Sequence, residues 1–426
     1  VSEALQAPRG TRDLLPADTA RWAAVEAALR GVFNRFGYRE LRTPVFEHTE
    51  LFVRGIGEAT DIVGKEMYSF ADRKGRSITL RPEGTAGVVR SYVEHKLGQG
   101  ERGEAKLFYL GPMFRYERPQ AGRYRQFWQA GAEAIGFADP AADAESIAML
   151  VTALRELGLK DLQVDINSVG DAETRAAFRE RLLDFLKEWK GPMSAESRAR
   201  MEANPLRILD SKDKADEELV AWAPKVTNHL SSRSSAHFAA VLRHLDRLKL
   251  PYQVNKKLVR GLDYYTDTVF EVLSSDLGSQ SAVAGGGRYD GLVGEFQPQG
   301  RPAVGWAIGL DRLCWLLEQR QLMAGGAGSE AAIITLGGRA FGRGLALAQQ
   351  LREAGIRTWF DASGLRSMKN QFKQADAEGC SLALVLGEDE LARGEAGLKD
   401  MKTQAQVTIR LDDALEAVKA RLRARA

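Results

Sequence analysis

Apolar residues recur at helical spacing near the start of the chain, at Trp22, Val25, Leu29, Val32 and Phe33, and this single stripe predicts an amphipathic helix. Asp18 or Thr19 is its expected cap and Gly37 its stop, so the helix should run to about Phe36. Residues 38–47 then read as extended, with Pro44 removing a ladder donor and favouring a strand edge or an interface. Two β-type runs, 67–70 and 77–80, flank a turn containing Gly75 and predict a hairpin. Its second strand leads straight into Arg81-Pro82-Glu83-Gly84-Thr85 and a helix over about 86–96. Glu83 and Thr85 therefore emerge beyond a strand end, a common place for ligand contacts, although Thr85 is equally suited to capping the helix.

The pattern breaks its own rule in residues 108–135, where two β-type runs bracket a polar, Arg-rich loop. Side chains alternate along a strand, so Arg115 and Glu117 share one face, as do Phe127, Gln129 and Glu133. Gln126, Trp128, Ala130, Ala132 and Ala134 occupy the other face. Polar groups thus fall on a side that should be enclosed, which is the pattern of a pocket wall. Arg115, Arg118, Arg123 and Arg125 add rigid guanidinium forks suited to phosphate, and Phe127 offers a ring on which a base can stack. A merely solvated Arg-rich hairpin is the competing interpretation.

Beyond this stretch, helical spacing over 141–157 and a β-type run over 162–167 precede a long, almost wholly helical segment to about residue 248, broken at Gly191-Pro192 and Asn204-Pro205. It reads as a helical insertion, because strand-like sequence resumes over 258–271 with Arg260 and the Tyr264-Tyr265 pair, polar groups that need partners inside a sheet. Gly285-Gly286-Gly287 lacks the spacing of a dinucleotide-binding or P-loop motif and suits either a tight turn or close approach to a ligand. Residues 303–313 read as a buried strand entering a helix, with Arg312 at the helix start, where an anion would meet the helix dipole. A Gly-rich linker follows at 321–328, and strands at 332–336, 357–360 and 382–386 alternating with helices predict a small α/β domain. There Arg366, Lys369 and Lys373 are expected on one helical face, either solvated or meeting a nucleic-acid backbone.

At 426 residues the chain has room for two or three domains, and 44% apolar with 27% charged residues is the balance of an ordinary globular protein. No apolar run reaches the length of a membrane span, and residues 1–12 lack a secretory apolar core, so a cytoplasmic protein is expected. Cys314 and Cys380 are isolated and read as buried thiols, and the five histidines show no metal-ligand spacing, so no metal site is expected. A net charge of +3 permits an RNA partner without arguing for one.

With these residues in view, the chain resembles the bacterial histidyl-tRNA synthetase family over essentially its whole length. YRELRTPVFE looks like the first motif of class II synthetases, GPMFRYERP through FWQAGAE like the second and GWAIGLDRL like the third; RGLDYYTDTVFE and GGGRYDGL look like the family's own signatures. Trp128 stands where a histidine is expected in the second motif, on the face opposite Glu133. The resemblance implies an α+β catalytic domain with an antiparallel class II sheet over residues 1–168 and 251–322, a helical insertion domain over 169–250, a linker at 323–330 and an α/β anticodon-binding domain over 331–426. It implies ATP-dependent activation of L-histidine, with Mg2+, and transfer to tRNA(His) by a homodimer joined through the Pro44 region. Glu83, Thr85 and Gln129 would hold the histidine α-amino group, Glu133 and Tyr264 its imidazole, and Tyr265 would help close the pocket. Arg115 and Arg260 would act on the α-phosphate as catalytic groups, with Arg260 also touching histidine. Glu117 and Phe127 would serve adenine, and Arg123 and Arg312 the triphosphate. Gln120, Arg123, Arg366, Lys369 and Lys373 would contact tRNA. The rival from another class is a non-catalytic, histidine-sensing paralogue, which would lack the C-terminal domain.

Overall fold

The computed structural model describes residues 5–58, 60–98, 100–101, 103–118, 122–203, 205–211, 213–259, 262–274, 282–323 and 328–424. Its backbone separates into two units, Val1–Ala324 and Gly325–Ala426.

Helix α1 (Pro16–Arg35) buries the whole expected stripe, from Trp22 to Phe33. Its start differs from expectation. Leu15 is the residue before the first turn and Pro16 occupies the first helical position, where its missing N–H costs nothing. Asp18, at the third helical position, accepts the Leu15 N–H at 3.4 Å instead of beginning the helix. Residues 38–47 do not form one extended run. Strand β1 (Arg39–Glu40) and strand β2 (Phe46–His48) lie in different sheets, with exposed Pro44 between them. After α2 (Thr49–Ile56), the expected hairpin is β3 (Tyr68–Ala71) with β4 (Ser77–Leu80), and β2 completes a small antiparallel sheet.

Helix α3 (Thr85–Glu94) leads to β5 (Ala105–Phe114), β6 (Gln126–Ile135), α4 (Pro140–Glu156) and β7 (Leu162–Ser168). The helical segment contributes α5 (Ala172–Glu188), α6 (Ala195–Ala203), α7 (Glu217–Trp222) and α8 (Ser232–Arg247). Phe178, Leu182, Leu186, Ile208, Leu219 and Val226 form a separate small core there. Helix α8 does not join that core. It places Phe238, Val241 and Leu245 in the main core with α1 and α4, so the self-contained part of the 169–250 segment ends near Val226.

The chain then returns through β8 (Gln253–Val254), β9 (Thr266–Ser274), β10 (Ala282–Arg288), β11 (Ala303–Gly309) and α9 (Leu310–Gln319). The main sheet has eight strands in the order β1-β5-β6-β11-β10-β9-β7-β8. Its six inner strands are antiparallel, and each edge strand is short and parallel to its neighbour. One face is apolar: Phe33 stacks on Phe108 at 4.6 Å between ring centres, and Ala130, Ala132, Ala134 and Trp306 lie in the same core.

The triple glycine is strand, not turn, and its neighbours give the reason. A Cβ on Gly286 would sit 2.1 Å from the Gly305 carbonyl oxygen, closer than any side chain can approach. Arg288, at the end of β10, is fully buried and donates from Nε to both carboxylate oxygens of Asp143 on α4, at 3.2 and 3.1 Å. His237 of α8 meets the same carboxylate at 3.5 Å.

The second unit comprises β12 (Ala331–Thr335), α10 (Gly338–Glu353), β13 (Thr358–Phe360), α11 (Met368–Ala377), β14 (Leu382–Leu386), α12 (Glu388–Ala392), β15 (Glu395–Asp400), β16 (Gln406–Arg410) and α13 (Ala414–Arg423). Its sheet runs β13-β12-β14-β15-β16, parallel for the first three strands and antiparallel thereafter. The last two strands were not expected from sequence, because EAGLKD and the largely exposed QVTIR carry little apolar signal. The basic stripe is also shorter than expected. Arg366 precedes the Ser367 cap of α11 and donates to Asp361 at 2.7 Å, leaving only Lys369 and Lys373 as exposed lysines on the helix.

Candidate active site

The alternation of β6 decides the site. Trp128, Ala130, Ala132 and Ala134 pack into the apolar core, Trp128 lying edge-on to Trp22 at 6.3 Å. Gln129 and Glu133 face the other way, into a cavity of about 390 Å³ that also includes Glu83, Thr85, Tyr264 and Tyr265. All six residues expected from 83–85, the second motif and the tyrosine pair, though far apart in sequence, therefore meet.

Glu133 is 1% exposed. Its Oε1 accepts the Thr85 hydroxyl at 2.8 Å, and its Oε2 accepts the Tyr289 hydroxyl. Burial raises its pKa to about 8; the two hydrogen bonds favour the carboxylate but do not outweigh the loss of water. Gly305 lies beneath this carboxylate, and a Cβ there would fall 1.8 Å from Oε2.

Glu83 turns its carboxylate onto the start of α3, accepting the backbone N–H of Thr85 at 2.7 Å and of Ala86 at 2.9 Å. Burial raises its pKa too, against the pull of these bonds. Thr85 is thus the first helical residue, not the cap, and its hydroxyl is spent on Glu133. On the cavity wall, Gln129 Oε1 is buried without a hydrogen-bond partner among the described residues. Such a group stays costly until a ligand pairs with it.

A second cavity, of about 240 Å³, adjoins the first and is lined by Arg115, Glu117, Arg123, Phe127 and Arg312. Arg115 and Arg123 line both. Arg115 donates from Nε to the Pro82 carbonyl at 2.8 Å and lies over the Phe127 ring, 5.4 Å from its centre. Glu117 stands between Arg115 and Arg123, at 3.7 and 3.6 Å. Burial and the nearby Arg123 guanidinium lower the pKa of Arg312 against the attraction of Glu271, and among the described residues no carboxylate lies within ion-pair distance of it. Two repelling guanidiniums without enough carboxylate are a site for an anion.

The other loop arginines lie elsewhere. Arg125 covers Tyr116, 3.8 Å from its ring centre, and donates to the carbonyls of Arg9, in the N-terminal segment, and of Glu117, in the hairpin, both at 3.4 Å. Arg118 is exposed and lines neither cavity. Arg260 and Gln120 lie outside the described residues. Sequence reasoning missed Tyr289 and Tyr109 as wall residues; Tyr289 had a signal, its place directly after Gly285-Gly286-Gly287-Arg288. Among the described residues, no group of three His, Cys, Asp or Glu side chains is arranged to hold a metal ion, and no helix is long and apolar enough to cross a membrane.

The family profile described as Histidyl-tRNA synthetase matches residues 10–313, and that described as Anticodon binding domain matches residues 330–421. A histidine–tRNA ligase of Synechococcus elongatus is 52% identical over 412 residues, covering 97% of this chain and 94% of that protein. The crystal structure of apo Staphylococcus aureus histidyl-tRNA synthetase superposes with a TM-score of 0.82 at 36% identity, covering 98% of this chain and all of that one. A Bacillus halodurans protein described as an ATP phosphoribosyltransferase regulatory subunit/histidyl-tRNA synthetase shares the fold, with a TM-score of 0.65 at 21% identity over 90% of this chain and 98% of that one.

Proposed function

Because the chain belongs to the histidyl-tRNA synthetase family, we propose that it joins L-histidine to tRNA(His) at the expense of ATP, using the two adjoining cavities as its amino-acid and nucleotide sites. The observation that carries this reading is the shared wall: Arg115 and Arg123 border both the Glu133 cavity and the Arg312 cavity, so an amino-acid carboxylate and a nucleotide α-phosphate can meet beside them.

Neutral imidazole offers one donor and one acceptor, and an ionised Glu133 with the Tyr264 hydroxyl would satisfy both. Glu83, Thr85 and Gln129 would receive the α-amino group, for which Gln129 Oε1 has an unused acceptor, and Tyr265 would close the pocket. In the adjoining cavity, Phe127 and Glu117 would take adenine, Arg123 and Arg312 the triphosphate, and Arg115 with Arg260 the α-phosphate. The histidine carboxylate oxygen would attack the α-phosphorus as the bond to pyrophosphate breaks, giving histidyl-adenylate. The terminal ribose hydroxyl of tRNA would then attack the carbonyl carbon, releasing AMP. Charge grows on the phosphoryl oxygens in the first step, and guanidiniums already in place stabilise it without reorganisation. Mg2+ would arrive with ATP, whose phosphates supply ligands that the described side chains do not assemble by themselves.

In the same reading the 331–426 segment would bind the anticodon, with Lys369, Lys373 and Arg366 toward phosphates, while Gln120 and Arg123 would reach the acceptor end. Two copies would pair through the Pro44 region, which the exposure of neighbouring Phe46 (58%) supports. The enzyme would act in the cytoplasm, with its tRNA.

The test is amino-acid-dependent exchange of pyrophosphate into ATP, without tRNA, across the standard amino acids, for the wild type and Arg260→Ala. Exchange with histidine alone, largely lost in the variant, is the expected result. No exchange with any amino acid would favour a histidine-sensing regulatory protein instead; exchange with another amino acid would keep the fold and overturn the imidazole assignment.

A further inference from the structure

The first helix of the helical segment grips the tyrosine pair from outside the sheet. Arg175, at the start of α5, directs Nη1 at the Asp263 carbonyl, 3.1 Å away, and at the Tyr265 carbonyl, 3.4 Å away. These carbonyls flank Tyr264, whose ring lines the amino-acid cavity 4.8 Å from the Tyr265 ring and 5.6 Å from that of Tyr289. Arg175 makes no ion pair among the described residues, so both recorded partners are backbone carbonyls of this segment.

The grip is firmly founded. Asp171 caps α5, accepting the Thr174 N–H at 2.9 Å, and also accepts the Ser231 hydroxyl at 2.7 Å; the Thr174 hydroxyl in turn accepts the Ser231 N–H at 2.9 Å. The starts of α5 and α8 are thereby tied together. Just beyond the tyrosines, Asp267 is fully buried with φ +49°, in the left-handed region that Asp tolerates better than most residues. Its N–H donates to the Gly170 carbonyl at 2.9 Å, and its carboxylate accepts Arg233 of α8 at 2.7 Å. The backbone from 263 to 267 is thus held from outside the sheet by the two helix starts, and Arg175 is the member nearest Tyr264.

We propose that Arg175 is a positioning residue for amino-acid recognition: by holding the carbonyls on either side of Tyr264 it fixes where that hydroxyl meets the imidazole. This rests on the reading of the cavity as the histidine site. It makes the helical segment part of the support of the amino-acid pocket.

Pyrophosphate exchange by the full chain tests it. Arg175→Ala should raise KM for histidine about tenfold, as expected for losing hydrogen bonds from a charged donor, with KM for ATP changed less than about twofold. Arg175→Lys, which can reach one carbonyl, should fall between. In a Tyr264→Phe background the same Arg175→Ala change should have much less effect, because its route to the substrate is already gone. Thermal melting checks that each variant is folded, and Arg175→Lys decides the matter if the alanine variant is not. Equal rises in both KM values, an unchanged KM for histidine, or full additivity with Tyr264→Phe would overturn the proposal while leaving the synthetase reading intact. A wild type that exchanges with no amino acid, or not with histidine, would remove that reading first and the proposal with it.

Discussion

The Tyr289 hydroxyl donates to the carboxylate of Glu133 across 156 positions of sequence, joining the second strand of the Arg-rich hairpin to the residue just beyond β10. Both are buried, and the bond orients an acid whose pKa burial raises to about 8.

A pH dependence follows. Burial keeps Glu133 protonated up to about pH 8, whereas the ionised carboxylate is the stronger acceptor for an imidazole N–H. KM for histidine in pyrophosphate exchange should therefore be about fivefold lower at pH 8 than at pH 7. Tyr289→Phe removes a bond to the charged form and should move that improvement to higher pH. A KM flat across this range would count against an ionised Glu133 in the complex. For folding the sign is opposite: the folded state holds this proton up to about pH 8 and the unfolded chain releases it near pH 4.5, so Glu133 subtracts stability as pH rises through that window.

Gly305 has no room for a side chain. Gly305→Ala places a methyl group where Glu133 Oε2 and the Ala132 carbonyl stand, so Glu133 must move. We expect KM for histidine to rise at least about tenfold and stability to fall by about 1–3 kcal/mol. Gly31→Ala makes the contrast: its Cβ meets nothing within 4 Å on α1, and denaturant melts should show about 0.5–1 kcal/mol of added stability.

Arg312 and Arg123 repel each other until an anion arrives. Arg312→Ala should raise KM for ATP about tenfold or more with KM for histidine little changed, measured by the same exchange reaction. Equal effects on both substrates would place Arg312 outside the nucleotide cavity's function.

Asp143 is buried beneath Arg288. Burial alone would raise its pKa, but Arg288 and His237 together more than offset this and hold it at about 2. Its stabilisation is present above the unfolded value near 4 and is lost as pH falls toward 2. Asp143→Asn leaves the buried Arg288 guanidinium to be balanced by Asp290, 3.1 Å from its Nη1, and should cost about 3 kcal/mol in urea denaturation at pH 7. A loss below about 1 kcal/mol would show that the pair is not needed for folding.

Replacing Arg366, Lys369 and Lys373 together by alanine should weaken tRNA charging and leave pyrophosphate exchange intact. Because Arg366 is already paired with Asp361, the lysines alone should account for most of the loss. Equal loss of both activities would remove the assignment.

The sequence alone was enough for whatever depends on neighbours within one element. The buried stripe of α1, the hairpin at Gly75 and the opposed faces of β6 follow from helical and strand periodicity, which local geometry imposes. The resemblance of whole motifs supplied the remaining site residues. Tertiary structure decided what depends on partners distant in the chain. Three glycines in a row suit a turn or a ligand contact until the Gly305 carbonyl oxygen lies 2.1 Å from where a Gly286 Cβ would be; Thr85 suits a cap or a ligand contact until Glu133 takes its hydroxyl; Arg366 reads as part of a helical stripe until Asp361 holds it before the helix begins. Tyr289 and Arg175 carry no periodic signal for what they touch. Their partners are chosen by how the sheet and the helices pack, and hydrogen bonds between residues so far apart become readable only once the chain has closed around them.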